Sequence, residues 1–171
     1  MNGVFTQSGA RNDRLRLVNL ISMAVEISRL GAGTRYPTAA LRRIAEILLR
    51  AVKQSRAELS IALVGDREMR PLNAKYRKKD QTTDVLSFFV VDQPLSVGKS
   101  LGDGVISVEQ ARRQAKERGK TLKSEVVTLL IHGILHLLGY DHEKSPRQAQ
   151  IMFAYERKLH ARLCDRGLLK L

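Results

Sequence analysis

The chain has 171 residues, 43% of them hydrophobic and 27% charged, a globular composition that excludes a disordered chain and suits one domain. The single cysteine, Cys164, excludes a disulfide framework and a cysteine-built metal site. Thirty lysines and arginines against 17 acidic residues leave a formal net charge of +13, which favours a polyanionic partner such as nucleic acid.

The start of the chain carries charge but no clear targeting signal. We predict that residues 1–16 are a flexible basic tail and that residues 17–171 form one domain. The apolar run Leu17–Ile27 is interrupted by Glu26 and is far shorter than the roughly 20 residues that cross a bilayer. We therefore predict a cytoplasmic protein that does not enter a membrane.

Hydrophobic periodicity and turn residues predict a single α+β domain, with a small mixed sheet of about four strands covered by about five helices. The predicted strands are Leu17–Ser28, Glu58–Val64, Asp84–Val91 and Val105–Ser107, with a loop over Pro94–Leu101 before the last of them. The predicted helices run from Thr38 as N-cap to Gln54, from Asp66 as cap to Arg77, from Ser107 or Val108 to Arg118, through the apolar segment that begins at Thr121, and from Ser145 as N-cap with Pro146 at the first position.

The residues suited to catalysis are concentrated in one segment. Three of the four histidines lie within the 11 residues 132–142. His132 and His136 are four residues apart and share one face of a helix. Gly139 follows where a left-handed residue would end that helix, so the chain can turn back and bring His142 to the same point.

Three converging imidazoles would form a metal site of the catalytic type. Three neutral rings at about 2.0–2.1 Å from a zinc ion leave the fourth position for water. A histidine on an apolar helix is more often a satisfied core residue, but the apolar flanks here would bury several rings, each costing about 1–3 kcal/mol without a partner. We therefore predict that His132, His136 and His142 bind a metal ion.

The glycine after the first histidine separates this pattern from a protease. The histidine and glycine spacing is that of the metzincin motif H-E-x-x-H-x-x-G-x-x-H, but Gly133 stands where that motif has its general-base glutamate. Glycine within a helix costs about 1 kcal/mol relative to alanine. Two explanations are open: close approach of backbone or substrate beside the metal, or tight packing against a strand.

The same segment resembles the signature of the YbeY family of bacterial endoribonucleases, H-G-x-L-H-L-x-G-Y-D-H, which is matched from His132 to His142. A second stretch similar to the family lies within 72–88 and includes Y-R-K-K-D and T-D-V-L-S-F. A third lies within 102–107, ahead of a basic helix. The resemblance extends from about Leu59 to Leu163.

This resemblance implies a small mixed sheet covered by helices, with one Zn²⁺ per chain bound by His132, His136 and His142. It implies a single-strand-specific, zinc-dependent endoribonuclease that matures the 3′ end of 16S ribosomal RNA and serves in ribosome quality control. Its partners would then be single-stranded RNA and the small ribosomal subunit, and we expect a monomer. The arginine of the Y-R-x-K-D stretch lines the family's cavity near the metal, which makes Arg77 the catalytic candidate. Asp141, Ser87 and Lys79 are further candidates for contacts with the ligands or the substrate.

The chain departs from the family pattern at three positions. Thr82 and Phe89 stand where proline is usual, and Gly104 stands where a bulky apolar residue is usual. These departures bear on the backbone of the neighbouring strands and not on the metal ligands. The general base is not evident: Asp141 is a candidate for orienting a histidine, and Glu143 is a further acidic candidate. The nucleophile is either hydroxide on the metal or the 2′-hydroxyl of the RNA, and the sequence does not separate the two.

Two basic stretches are candidates for contact with the RNA backbone. Arg67–Asp80 and Glu109–Lys123 each carry six basic and two acidic residues, and a solvated surface is the other interpretation of both. Aromatic residues are only 5% of the chain, which argues against a long base-stacking platform. The alternative functions are a non-catalytic ribosome-assembly factor with a structural zinc, or a metalloprotease-like hydrolase.

Overall fold

The computed structural model of the chain describes residues 25–31, 34–89 and 100–170. Within these residues there are four strands and five helices, as predicted. The strands are β1 (Val25–Arg29), β2 (Glu58–Val64), β3 (Val85–Phe89) and β4 (Ser100–Ser107). The helices are α1 (Thr38–Ala51), α2 (Asp66–Arg77), α3 (Val108–Glu117), α4 (Leu122–Leu137) and α5 (Pro146–Asp165). The predicted basic tail and most of the predicted first strand lie outside the described residues.

The four strands form one mixed sheet in the order β1-β2-β4-β3. β1, β2 and β4 are parallel, and β3 is antiparallel to β4, with Val85 opposite Ile106 and Phe89 opposite Gly102. The predicted α+β class is therefore confirmed. Within the described residues β3 lies at one end of this strand order, next to β4 alone.

Strand β4 is longer than the sequence predicts. The predicted loop Pro94–Leu101 ends in strand, because Ser100 and Leu101 already belong to β4. Gly102, Asp103 and Gly104 have low strand propensity, but pairing with β2 on one side and β3 on the other holds them in the sheet. Strand propensity is a weak guide here because the ladder, not the residue type, decides the conformation.

One departure from the family pattern has a packing explanation. A Cβ at Gly104 would lie 2.7 Å from Cδ1 of Ile61 on the neighbouring strand β2, so the isoleucine occupies the space that a side chain at 104 would need. The pairing of β3 with β4 is regular through this position, where Ser87 lies opposite Gly104. The backbone of the two strands is therefore undisturbed by the glycine.

The predicted helix starts are correct for α3 and α5 and differ slightly for α1 and α2. The hydroxyls of Ser107 and Ser145 accept hydrogen bonds from backbone N–H groups of the first turns, as N-caps do. The N-cap of α1 is Pro37 rather than Thr38, since the extended proline precedes the first helical residue. The N-cap of α2 is Gly65, and Asp66 is the first residue of that helix.

The sheet separates two apolar clusters, and α4 lies at the centre of the larger one. Side chains of β3 alternate, so that Leu86 and Phe88 pack with α2 while Val85 faces α4. α4 contacts α1, α3, α5, β3 and β4, and ten of its 16 residues are buried, as its apolar sequence predicts. No helix in the described ranges is long and apolar enough to cross a membrane.

Candidate metal centre

Helix α4 and the turn after it bring the three predicted histidines together. His132 and His136 lie one turn apart on α4, and their Nε2 atoms are 3.0 Å apart. The helix ends at Leu137, and Gly139 turns the chain with a φ of +90°, a left-handed value that favours glycine. His142 then returns to the cluster, where one ligand nitrogen from each ring lies within 4.8 Å of the others.

The geometry and protonation of these rings fit a single metal ion. Tetrahedral ligands at about 2.0–2.1 Å from zinc are roughly 3.3 Å apart, close to the observed separation of the first two rings. Burial and the two neighbouring imidazoles lower the pKa of His136 to about 4, so its ring is neutral at pH 7. Nδ1 of His142 is buried and has no hydrogen-bond partner among the described residues. The three histidines could therefore bind one metal ion, although an all-imidazole set also suits copper, iron or nickel.

A carboxylate from α5 supports the first histidine. Nδ1–H of His132 donates a hydrogen bond to Oε1 of Glu156 over 2.7 Å, which fixes the tautomer with Nε2 facing the other two rings. Only 18% of the Glu156 side chain is exposed. The sequence does not predict the role of this residue, because its proximity to His132 depends on the packing of α5 against α4, and no local pattern distinguishes Glu156 from a surface glutamate.

Arg77 lies near the turn that carries the third histidine. It is the last residue of α2, followed by Lys78 in the left-handed conformation. Its Nη2 lies 3.6 Å from Oε1 of Glu143, which directly follows His142. The arginine is 42% exposed and the glutamate 67%, so the pair is accessible to solvent and to a substrate. The structure therefore places the predicted catalytic arginine beside the candidate centre, and its role stays a prediction.

Gly133 packs against strand β3, which favours the second of the two explanations for this glycine. A Cβ at this position would lie 3.3 Å from Oγ of Ser87 and 3.6 Å from Cγ2 of Val85. Oγ of Ser87 also lies 3.5 Å from the carbonyl oxygen of Gly133, at the limit of a hydrogen bond. The predicted site residue Ser87 thus contacts the backbone between the two helical histidines. A glutamate in place of Gly133 would be crowded by the strand.

The other two candidates differ in their surroundings. Oδ1 of Asp141 accepts a hydrogen bond from N–H of Glu143 over 2.9 Å, and its Oδ2 lies 4.0 Å from Nζ of Lys144, so its resolved contacts stabilise the turn between the ligands. Lys79 is exposed in the segment after α2, where its N–H donates to the carbonyl of Asn73 over 3.4 Å. Within the described part of the chain, no hydrogen bond or ion pair connects the Lys79 side chain to the histidines.

The second basic stretch presents part of its charge to solvent. On α3, Arg112 and Lys116 are exposed, whereas Ala111 and Ala115 face the core. Arg113 is engaged by Asp66, with 2.7 Å between Nη1 and Oδ2. The exposed Arg112 and Lys116 suit contact with a phosphate backbone, whereas Arg113, which pairs with Asp66, stabilises the fold.

Comparison with known proteins identifies a common family. Residues 32–164 match the family described as Endoribonuclease YbeY. An endoribonuclease YbeY of Myxococcus xanthus is 52% identical over 117 residues, which cover 67% of this chain and 38% of that protein. One of Persephonella marina is 43% identical, and the match covers 68% of this chain and 76% of the relative. A Thermotoga maritima protein of known solution structure has a TM-score of 0.55 and 26% identity, covering 86% of this chain and 96% of that one.

Proposed function

The chain belongs to the YbeY family, and we propose that it is a metal-dependent endoribonuclease that cleaves single-stranded RNA. The observation that carries the proposal is the convergence of His132, His136 and His142, with their ligand atoms within 4.8 Å of one another. The names of the relatives support the reaction class, and the net charge of +13 supports a polyanionic substrate.

The finer proposal concerns the ion and the biological substrate. We propose that the three histidines bind Zn²⁺, and that the substrate is ribosomal RNA of the small subunit, matured at the 3′ end of 16S rRNA and monitored in ribosome quality control. The protein would do this in the cytoplasm as a monomer. The support is the agreement between the family signature and the observed cluster.

The residues around the cluster have distinct parts in the proposed reaction. A zinc ion, when bound, polarises a phosphoryl oxygen and makes an activated water available near neutral pH. The low pKa of His136 keeps its ring in the neutral form that can bind a metal. Glu156 holds the ring of His132 with its Nε2 turned towards the cluster.

Arg77 is the candidate for contact with the scissile phosphate. A guanidinium can donate two parallel hydrogen bonds to phosphate oxygens and stabilise the charge that develops there. Its ion pair with Glu143 is exposed and 3.6 Å long, and such pairs are weak in water. An incoming phosphate can therefore replace the glutamate, and Glu143 is then released beside the ligand turn.

Cleavage of a labelled single-stranded RNA by zinc-loaded protein tests the proposal. We expect His136→Ala to lose bound metal and at least about 100-fold in rate, as removal of an essential catalytic group does. The matched control is His160→Gln, because His160 is also half-buried but contacts Thr128, with 3.1 Å between its Nε2 and the hydroxyl oxygen. The control should keep both metal and activity.

The outcomes separate the proposed enzyme from its alternatives. Equal cleavage by the wild type and the His136 variant would point to a contaminant and contradict the proposal. Absence of cleavage in a folded, zinc-loaded wild type, with RNA binding retained, would favour the assembly factor with a structural zinc. Cleavage of a peptide but not of RNA would favour the metalloprotease-like hydrolase.

The role of Arg77 has its own control on the same helix. We expect Arg77→Ala to lower kcat about 100-fold while metal content stays at the wild-type level. Arg70→Ala is the control, because Arg70 is also an exposed arginine of α2, at 62% against 42% for Arg77, and its partner Asp80 belongs to the segment after α2. If both substitutions reduced cleavage equally, the effect would be general loss of positive charge rather than a contact with the reacting phosphate.

A further inference from the structure

An exposed aromatic ring lies at the edge of the candidate metal centre. Phe153 of α5 is 42% exposed, and its ring centroid is 6.0 Å from that of His142, with 34° between the ring planes. Single exposed apolar side chains are common on soluble proteins and need no explanation by themselves. Phe153 differs from such residues because its ring contacts His142, a candidate metal ligand.

The helix that supports the cluster also fixes the position of this ring. Met152 is fully buried, whereas its neighbour Phe153 is partly exposed. Phe153 lies on the same face of α5 as Glu156, which follows three residues later and is the partner of His132. Arg157 is exposed one turn after Phe153 on the same side of the helix. This side of α5 therefore combines a partly exposed aromatic ring, which contacts His142, with an exposed arginine one turn further along the helix.

We propose that Phe153 stacks on an unpaired nucleobase of the RNA, next to the phosphate that is cleaved. The identity of the ligand as RNA rests on the proposed function. Stacking on one aromatic ring needs a base that is free of its neighbours, and a base within a duplex is already stacked on both sides. The ring would thus contribute to a preference for single strands without reading sequence, since every base has a π-face.

The absence of tryptophan from the chain makes a direct optical test possible. Phe153→Trp introduces a single indole whose fluorescence is quenched when a base stacks on it. Ile151→Trp is the matched control, because Ile151 is equally exposed, at 42%, two residues away on the same helix. The probe is a 2′-O-methyl RNA octamer added to zinc-loaded protein, with a gel run afterwards to verify that the octamer is intact.

We expect the single-stranded octamer to quench the indole at 153 and to leave the indole at 151 unchanged. The same octamer annealed to its complement should quench neither. Equal quenching at both positions, or equal quenching by the duplex, would overturn the proposal. A protein that binds the octamer with no change at 153 would overturn it too.

Binding by substituted proteins provides the second arm. We expect Phe153→Ala and Phe153→Leu each to weaken affinity for the octamer about 5- to 100-fold, because leucine keeps an apolar contact with His142 but has no aromatic face. Ile151→Ala should change affinity less than twofold. Full affinity in the leucine variant would show apolar packing rather than stacking and contradict the proposal.

The design separates this inference from the function on which it rests. Metal content is measured for each variant, so that damage to His142 is recognised. Quenching at 153 without cleavage of ordinary RNA by the wild type would contradict the proposed nuclease and leave the stacking contact in place. Cleavage that depends on the histidines, with no quenching and no loss of affinity in the variants, would support the nuclease and overturn the role of Phe153.

Discussion

Replacement of Glu156 by glutamine should weaken metal binding about tenfold while the fold is retained. The glutamine amide has nearly the same size as the carboxylate, and its oxygen can still accept from Nδ1–H of His132. The substitution therefore removes the negative charge and keeps the hydrogen bond that is 2.7 Å long in the wild type. Its effect reports on the charge alone.

The expected size follows from the surroundings of this pair. A hydrogen bond to a charged group contributes about 1.5–3 kcal/mol, and a neutral one about 1 kcal/mol. The side chains of His132 and Glu156 are 22% and 18% exposed, so solvent screens the charge only in part. The difference of about 0.5–2 kcal/mol corresponds to roughly 2- to 30-fold in affinity, which overlaps the roughly 10- to 100-fold range known for groups that support metal-binding histidines.

Competition with a chromophoric chelator measures the zinc affinity of each variant. Glu143→Gln is the control, because that carboxylate also lies near the cluster but is 67% exposed and pairs with Arg77. The control should change zinc affinity less than threefold. If Glu156→Gln bound zinc as tightly as the wild type, or if both variants were weakened equally, the supporting role of Glu156 would be refuted.

Three further experiments test the contacts that stabilise the fold around and beyond the site. In a Ser87→Ala background, Gly133→Ala should raise the free energy of unfolding in urea by about 1 kcal/mol, because alanine has the higher helix propensity. With Ser87 present, the new Cβ would lie 3.3 Å from Oγ of Ser87, and this crowding should cancel the gain. Equal effects in both backgrounds would contradict the packing of Gly133 against Ser87. Gly102→Ala should lower the free energy of unfolding by at least about 2 kcal/mol, because φ is +138° and a Cβ would lie 2.5 Å from the backbone oxygen of Phe88 in β3. A smaller loss would show that β3 and β4 can move apart at little cost. Hydrogen bonding from Arg113, with smaller contributions from two hydroxyls, lowers the pKa of Asp66 below its usual value. The carboxylate therefore stabilises the fold above the unfolded-state pKa of about 4, and this stabilisation is lost as pH falls through the lower folded-state pKa. The difference in free energy of unfolding between the wild type and Asp66→Asn should shrink from pH 7 to pH 2, and a constant difference would contradict this assignment.

Local chemistry in the sequence predicts the helical part of the site well. The four-residue spacing of His132 and His136 has only one geometric meaning on a helix, and Gly139 is a strong stop signal. Helix α2 is predicted with its last residue, so the placement of Arg77 at a helix end follows as well. These features depend on neighbours within one or two turns, which is the range over which sequence patterns are informative.

The features that the sequence does not predict are those that join distant segments. Glu156 is 24 residues from His132 along the chain, and only the packing of α5 on α4 brings them together. The contact of Ser87 with the backbone of Gly133 likewise depends on the place of β3 beside α4. The length of β4 is set by two ladders rather than by its own glycines. In each case tertiary packing, not local propensity, decides the outcome.

The three candidate ligands come from a helix and from the turn after it, and this difference has a kinetic consequence. His132 and His136 are carried by α4, in which ten of the 16 residues are buried and Ile131 and Leu135 are fully inaccessible. His142 is carried by a turn whose Gly139 has open space around it. Backbone amides of α4 should therefore exchange with solvent deuterium only on global unfolding, while those of the turn exchange by local opening. The residence time of a bound ion would then be governed by this turn, which can release one ligand and readmit it while the other two stay fixed.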